Sequence, residues 1–102
     1  MKNTGLSDEI TEMLNKVFHK YQDIKKVVLF GSRAKGTAKH NSDIDLAIFG
    51  IDNDLFVESI ALELEELPLP YKFDIKSFTS IENLALCEHI KRVGINIYEK
   101  TG

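Results

Sequence analysis

The sequence predicts one small α/β (α+β) domain in which helices pack on a sheet of three to four strands. Segments with a helical spacing of apolar residues alternate along the chain with short segments of strand character. No repeat or linker divides the 102 residues, which suffice for one hydrophobic core but not for two lobes. Since helices and sheets each bury an apolar face, a helical layer on a strand layer is the economical packing, and we predict a single domain over residues 1–102.

The first elements along the chain are a helix and a buried strand. Apolar residues recur every three or four positions after Ser7, which we interpret as the N-cap of a helix with Asp8 and Glu9 in its first turn. Residues 26–30, KVVLF, lack polar alternation, which is typical of a central strand covered on both faces. Gly31 ends this run, and a short helix is expected to follow it.

The second predicted strand carries the first indication of function. Residues 43–48 alternate strictly, so three aliphatic side chains are expected to face a core: Ile44, Leu46 and Ile48. Asp43 and Asp45 then share the opposite face. Because Asp is a poor strand former, two of them in a strongly β segment suggest a role other than folding.

A second long helix and a third strand come next. Residues 53–67 contain no helix breaker, and Pro68 ends this helix. Residues 71–78 alternate again, which predicts a strand with Asp74 and Lys76 on one face.

The last segment predicts a helix and an edge strand. Residues 79–82, TSIE, have the form of a capping box that begins the helix. The helix is expected to end near Val93, with basic residues in its last turn and Gly94 just beyond. Residues 95–98 are predicted to add a fourth, edge strand.

The bulk composition argues against several classes of function. The formal net charge of -3 gives no global attraction to nucleic acid or to anionic membranes, so we expect no direct nucleic-acid binding. No apolar run approaches the roughly 20 residues of a membrane span and the N-terminus lacks a signal-peptide core, so we expect a cytoplasmic protein. The single cysteine, Cys87, excludes an internal disulfide and a cysteine metal cluster, and we interpret it as a core residue.

The stretch FGSRAKGTAKHNSDIDL, residues 30–46, has three interpretations. The first is a P-loop: Gly31 and Gly36 have the right separation, but Thr37 stands where the phosphate-binding lysine is required. The second is a solvated loop followed by the wet face of an antiparallel strand. Against the second interpretation, like charges crowded on one face repel each other and need a compensating cation.

The third interpretation is a two-metal site for phosphoryl transfer. Mg²⁺ prefers carboxylate oxygens and keeps positions open for substrate phosphates. Three carboxylates on neighbouring strands could supply such ligands, and they belong to Asp43, Asp45 and Asp74. Gly31 allows a phosphate to approach the backbone closely, and Ser32 can add its hydroxyl to the backbone N–H groups.

These motifs resemble those of the DNA polymerase β nucleotidyltransferase superfamily. The shared pattern is a Gly-Ser pair, ten residues, the Asp43-Ile44-Asp45 triplet, and a later Asp in a strand, here Asp74. The phrase GSRAKG...SDIDL is similar to the minimal nucleotidyltransferase (MNT) branch, whose small members are often paired with a helical HEPN protein. The resemblance implies a palm-like fold, with a mixed sheet and helices mainly on one face.

The resemblance also implies roles for individual residues. The Gly-Ser pair of that superfamily grips the triphosphate of a nucleotide, which corresponds to Gly31 and Ser32. Its carboxylates bind two Mg²⁺ ions and are catalytic, which corresponds to Asp43, Asp45 and Asp74. The third of these is expected to act on the incoming hydroxyl as well.

Further candidates are basic residues close to these motifs. Arg33 and Lys35 follow the Gly-Ser pair within one helical turn and are expected to bind the nucleotide. We interpret His40 as an exposed loop residue, and His19 and His89 as surface or partly buried structural residues.

The implied activity is transfer of AMP from ATP to a hydroxyl acceptor with release of pyrophosphate. Because so short a chain lacks a separate acceptor-binding domain, we expect the acceptor on a partner protein, or a homodimer that completes the cleft. In paired systems this branch resembles the antitoxin, which transfers AMP to a tyrosine of the HEPN toxin, a ribonuclease. Two alternatives stay open: a non-catalytic module that neutralises its partner by contact, and an adenylyltransferase of small molecules such as antibiotics.

Overall fold

Helices and strands alternate along the chain in the computed structural model, which describes residues 6–36 and 43–100. The elements of this part of the chain are α1 (Asp8–His19), β1 (Lys26–Phe30), α2 (Ser32–Lys35), β2 (Ile44–Phe49), α3 (Asp54–Glu65), β3 (Phe73–Ser77), a 3₁₀ turn (Phe78–Ser80), α4 (Leu84–Val93) and β4 (Ile95–Glu99). The predicted order of elements is confirmed, and the 3₁₀ turn is the one addition that sequence reasoning did not predict.

The strands form a mixed four-stranded sheet in the order β3-β2-β1-β4. β1 pairs antiparallel with both β2 and β4, whereas β2 and β3 are parallel. A parallel pair needs a crossover connection, and α3 supplies it. The predictions of β1 as a central strand and β4 as an edge strand are therefore confirmed.

The main core lies on one face of the sheet beneath α1 and α3. Leu14 and Phe18 of α1, together with Ile60 and Leu64 of α3, are fully buried. They contact a cluster of strand residues that are also buried, which includes Val27, Leu29, Ile44, Leu46 and Ile48. The predicted inward alternation of the second strand is correct, because a period of two places every second side chain on the same face.

The second face of the sheet is covered in part by α4. Ile90 of this helix packs against Val28, Phe30 and Ala47 in a smaller cluster. Two of the three long helices thus cover one face, as predicted, while α4 lies on the face that also carries Asp45.

The predicted helix boundaries at Ser7 and Val93 agree with the structure, whereas α3 ends at Glu65, two residues before the predicted end. The N–H of Ile10 donates to Ser7 Oγ over 3.2 Å, which confirms Ser7 as the N-cap of α1. α4 ends at Val93 with Gly94 after it, also as predicted. The longest helices of the described residues have 12 residues, and none is long and apolar enough to cross a membrane.

The predicted start of α4 is wrong. The N-cap is Asn83, whose Oδ1 accepts a hydrogen bond from the N–H of Leu86 over 3.2 Å. Ser80 belongs instead to the 3₁₀ turn, and the hydroxyl of Thr79 is hydrogen-bonded to that of Ser77. The capping box fails because this local hydrogen bond competes with the helical cap.

Asn83→Ala should therefore lower the free energy of unfolding by about 1 kcal/mol, because it removes the side-chain acceptor at the start of α4. For a domain of this size the midpoint of thermal unfolding should fall by roughly 4–8 °C per kcal/mol. Ser80→Ala is the matched control and should change the free energy by less than about 0.5 kcal/mol. Equal losses in the two variants would contradict Asn83 as the cap.

Candidate active site

Two of the predicted carboxylates lie side by side on the sheet. Asp45 of β2 and Asp74 of β3 are direct partners in the parallel register, so their side chains point to the same face. Asp45 is partly buried, whereas the side chain of Asp74 is 48% exposed. Asp43 lies just before β2 and is exposed. The structure thus brings these three carboxylates to one end of the sheet face that α4 partly covers.

The backbone of Gly31 lies directly against the carboxylate of Asp45. Phe30, the last residue of β1, is opposite Asp45 in the antiparallel register, so Gly31 follows immediately beside it. A Cβ atom at Gly31 would overlap with Asp45 Oδ2. Gly31 also has φ 77° and ψ -153°, a conformation that is essentially restricted to glycine. The backbone angle therefore favours glycine at this position, and a larger residue would displace the carboxylate of Asp45.

Burial and charge repulsion together set the electrostatics of these carboxylates. The pKa of Asp45 is raised above its ordinary value, first by burial and then by the negative charges of Asp74 and Asp43. Lys76 and Arg33 act in the opposite direction without cancelling this effect. Lys76 Nζ donates to Asp74 Oδ1 over 3.2 Å. The site therefore holds more negative charge than its neighbouring cations neutralise.

The donor set fits a hard divalent cation. All three candidate ligands offer carboxylate oxygens, which Mg²⁺ prefers, and a cation would relieve the repulsion that raises the pKa of Asp45. Within residues 6–36 and 43–100, no three His, Cys, Asp or Glu side chains are placed so that they could hold a metal ion together. Mg²⁺ is commonly held by only one or two carboxylates and completes its coordination with water and substrate phosphates.

The two basic candidates lie in different environments. Lys35 is exposed at the end of α2. Arg33 is 1% exposed, and its guanidinium lies 4.8 Å from the ring centroid of Tyr71 in a cation–π contact. Nucleotide binding by both side chains stays a prediction. The charge of Arg33 does act on the site, because it lowers the pKa of Asp45.

His89 is partly buried, as predicted, and it contacts the Gly31 turn, which sequence reasoning did not predict. Its Nε2 accepts a hydrogen bond from the N–H of Gly31 over 3.1 Å, and its ring meets Phe30 edge-on at 6.3 Å. Burial lowers its pKa, as do the positive charges of Lys35 and Arg92. One feature of the sequence indicates this contact. His89 lies between Leu86 and Val93 on the apolar face of α4, and that face is expected to pack on the sheet.

The structure assigns no role in the candidate site to the remaining histidines or to Cys87. His19 is exposed on α1, and His40 lies outside the described residues. Cys87 is half-buried in α4 and its thiol faces the carbonyl oxygen of Ile81.

One large cavity lies outside the candidate site. It has a volume of about 670 Å³ between α1 and β4, and none of the predicted site residues lines it. Its lining includes Asn15, His19 and Ile97. The convergence of carboxylates on the Gly31 turn, and not cavity size, therefore defines the candidate site.

Comparison with known families agrees with this geometry. A family described as "Polymerase beta, Nucleotidyltransferase" matches residues 12–101. The chain belongs to this nucleotidyltransferase family. The resemblance predicted from Gly31, Ser32 and the Asp residues is thereby confirmed.

One curated relative of this nucleotidyltransferase is MJ0604 of Methanocaldococcus jannaschii, a protein named as a candidate protein adenylyltransferase. The two chains are 43% identical over 51 residues, which cover 48% of this chain and 51% of the relative. The match thus spans about half of each protein.

Several solved structures share the fold of the nucleotidyltransferase. One, described as a toxin–antitoxin with AMP-PNP, has a TM-score of 0.73 and 24% identity over 88% of this chain and 73% of the other. A second is the MntA–HepT toxin–antitoxin, with a TM-score of 0.66 and 20% identity over 88% of this chain and 70% of the other. A third contains a tri-AMPylated Shewanella oneidensis HEPN toxin with its MNT antitoxin, with a TM-score of 0.61 and 18% identity over 88% and 73% of the two chains. These likenesses confirm the predicted fold.

Gly31→Ala should lower ATP affinity more than tenfold, because the new methyl group displaces the carboxylate of Asp45 as well as straining the turn. The strain should also cost about 1–2 kcal/mol of folding stability. Gly36→Ala is the matched control, since Gly36 has the same φ of 77° at the end of α2. ATP titration and thermal unfolding check both effects. Equal losses of ATP affinity would contradict a specific contact of Gly31 with Asp45.

Asp45→Asn should stabilise the protein in the absence of divalent metal, by roughly 2–5 °C at neutral pH. The folded state raises the pKa of Asp45, so this group favours folding at low pH and that contribution is lost as pH rises through its folded pKa. The difference between variant and wild type should therefore grow from about pH 4 to pH 7.

Thermal unfolding of both proteins in EDTA at several pH values measures this difference. Asp23→Asn is the control, because Asp23 is exposed and outside the site. A variant less stable than wild type at neutral pH would contradict net repulsion at Asp45.

Proposed function

We propose that this protein is a divalent-cation-dependent adenylyltransferase that transfers AMP from ATP to a hydroxyl of a partner protein. The observation that carries the proposal is the contact between the Gly31 turn and the carboxylate of Asp45, which is in register with Asp74. This contact joins a backbone suited to phosphate with a cluster suited to metal ions. Transfer of a nucleotidyl group needs both at the same place.

The Gly31 turn is assigned to the triphosphate. Without a side chain, Gly31 allows an anion to approach its backbone closely once the N–H is released from His89, and Ser32 adds a backbone N–H and a hydroxyl. Lys35 is exposed nearby and contributes positive charge. Arg33 acts at longer range, since its buried guanidinium offsets part of the negative charge on Asp45.

The carboxylates are assigned to the metal ions and to the acceptor. Asp43, Asp45 and Asp74 would hold two Mg²⁺ ions, which when bound neutralise charge on the phosphates and polarise the α-phosphate. Asp74, the more exposed of the strand pair, is assigned to accept the proton of the incoming hydroxyl. The acceptor oxygen then forms a bond to the α-phosphorus, the bond from that phosphorus to the bridging oxygen breaks, and pyrophosphate leaves.

Known proteins support AMP as the group transferred and a protein as the acceptor. The curated relative is named for protein adenylylation, one similar structure contains AMP-PNP, and another contains an AMPylated HEPN toxin beside its MNT antitoxin. We infer that this chain acts as the antitoxin of such a pair and modifies a tyrosine of a helical HEPN partner. The fold alone does not carry this inference, since one fold serves many acceptors.

The energetics of the site argue for catalysis over simple contact with a partner. A module that neutralises its partner by binding alone gains nothing from crowded carboxylates, yet Asp45 is held beside Asp74 where their charges repel. Groups that raise the free energy of the folded state are retained where the binding of an ion or a substrate offsets that increase.

Wild-type protein, with Mg²⁺ and ATP labelled at the α-phosphate, should transfer the label to a co-purified helical HEPN partner. Asp43→Asn, Asp45→Asn and Asp74→Asn should each reduce the rate more than tenfold, because each removes one ligand and leaves the other carboxylates poorly neutralised. Asp23→Asn should keep the wild-type rate. Mass spectrometry of the partner checks the acceptor and should find AMP on a tyrosine.

Absence of label on a folded partner, with wild-type enzyme that binds ATP, would contradict protein adenylylation. Full suppression of the partner by Asp45→Asn would favour the contact-only alternative. Label on an aminoglycoside in place of the partner would favour a small-molecule acceptor.

A further inference from the structure

The imidazole of His89 is hydrogen-bonded to the backbone N–H group of Gly31, which the triphosphate is expected to bind. Its Nε2 accepts the N–H of Gly31 over 3.1 Å, although the two residues are brought together from β1 and α4 only by the fold. As an acceptor, Nε2 carries a lone pair and no proton, so the imidazole is neutral with its proton on Nδ1. The edge-on contact with Phe30 and the packing of neighbouring Ile90 hold the ring in this place.

A phosphate oxygen and this form of His89 compete for the same N–H group. One N–H makes one good hydrogen bond, and the lone pair of Nε2 repels an anionic oxygen placed beside it. A phosphate oxygen can therefore accept the Gly31 N–H beside His89 in two ways. The ring can move away, or Nε2 can become a donor to that phosphate by gaining a proton or by receiving the proton from Nδ1.

The surroundings of His89 favour the donor role over displacement. Lys35 of α2 and Arg92 of α4 are the charged residues whose fields act on the ring, and both are positive. In the absence of an anion they oppose a further positive charge. A bound triphosphate reverses this preference for a neutral acceptor, because its negative charge favours a hydrogen-bond donor at Nε2. The packed position of the ring also leaves it within reach of any group that replaces it on Gly31.

We propose that His89 is a triphosphate-positioning residue: it holds the Gly31 N–H in place without nucleotide, yields that N–H to a phosphate oxygen, and then donates a hydrogen bond to the same phosphate group. This inference rests on the proposed function, since the nucleotide triphosphate is what replaces the imidazole. It adds α4 to the site, so that the third long helix binds substrate and does more than cover the sheet.

The proposal separates ligands that have a triphosphate from those that lack one. His89→Ala should weaken binding of Mg²⁺–ATP and of Mg²⁺–tripolyphosphate by roughly 10–150-fold, the amount expected for one hydrogen bond to a charged group. Binding of AMP should change less than about twofold. His89→Gln should recover most of the lost affinity, because a side-chain amide both accepts and donates.

Calorimetric titration of the purified full chain measures these affinities. His19→Ala is the control, since His19 is exposed on α1 and should leave all three affinities at the wild-type level. Thermal unfolding shows whether each variant is folded. His89→Leu serves if His89→Ala does not fold, because leucine fills the space without offering a polar atom, and it should show the same selective loss.

Three outcomes overturn the inference. Equal weakening of ATP and AMP would show a structural role alone. Unchanged affinity for ATP and tripolyphosphate would show that the ring does not contact phosphate, and tighter binding would show that it only blocks the site. In these cases the wild-type protein can still transfer AMP, so the proposed function stands.

Failure of the proposed transfer can be told apart from failure of the His89 inference. If the wild type binds ATP and tripolyphosphate with the His89 dependence described, yet labels no acceptor, the proposed transfer fails and His89 remains a phosphate-binding residue. If the wild type binds neither ligand, both the function and the inference are wrong.

Discussion

The contact between the Gly31 backbone and the Asp45 carboxylate is the constraint on which the rest of the site depends. It exists because β1 and β2 pair antiparallel with Phe30 opposite Asp45, so the turn that leaves β1 passes directly over the carboxylate. A slip of one residue in that register would turn Asp45 into the apolar core and Ile44 outwards. The main core prevents such a slip, since Ile44, Leu46 and Ile48 are all fully buried on the other face.

The two faces of the sheet therefore have opposite energetic roles. One face buries the side chains of α1 and α3 and supplies most of the apolar burial that stabilises the domain. The other face carries carboxylates whose repulsion raises the energy of the folded state, together with the smaller cluster around Ile90. The apolar face allows the fold to tolerate the repulsion between the carboxylates on the other face. The candidate site thus lies on the face of the sheet that contributes less to the stability of the domain.

Sequence reasoning succeeded where one period or one residue type decides the structure. Strict alternation over residues 43–48 and the burial of β1 were predictable from side-chain spacing, and Ser7 was predictable as a cap. The start of α4 was not, because Thr79 bonds Ser77 and leaves Asn83 to cap the helix. Competition between two local hydrogen bonds depends on exact backbone geometry, which a four-residue pattern does not contain.

The sequence by itself determined the order of the elements, the chemical types at the site and the family to which the chain belongs. Only the tertiary structure decided that Asp45 and Asp74 are partners in a parallel pair, that Arg33 is buried against Tyr71, and that His89 reaches the Gly31 amide. Local spacing fixes which face of its own element a side chain occupies. What that face meets is set by the packing of distant segments, because a cation–π contact or a hydrogen bond between two elements forms only after both have docked on the sheet.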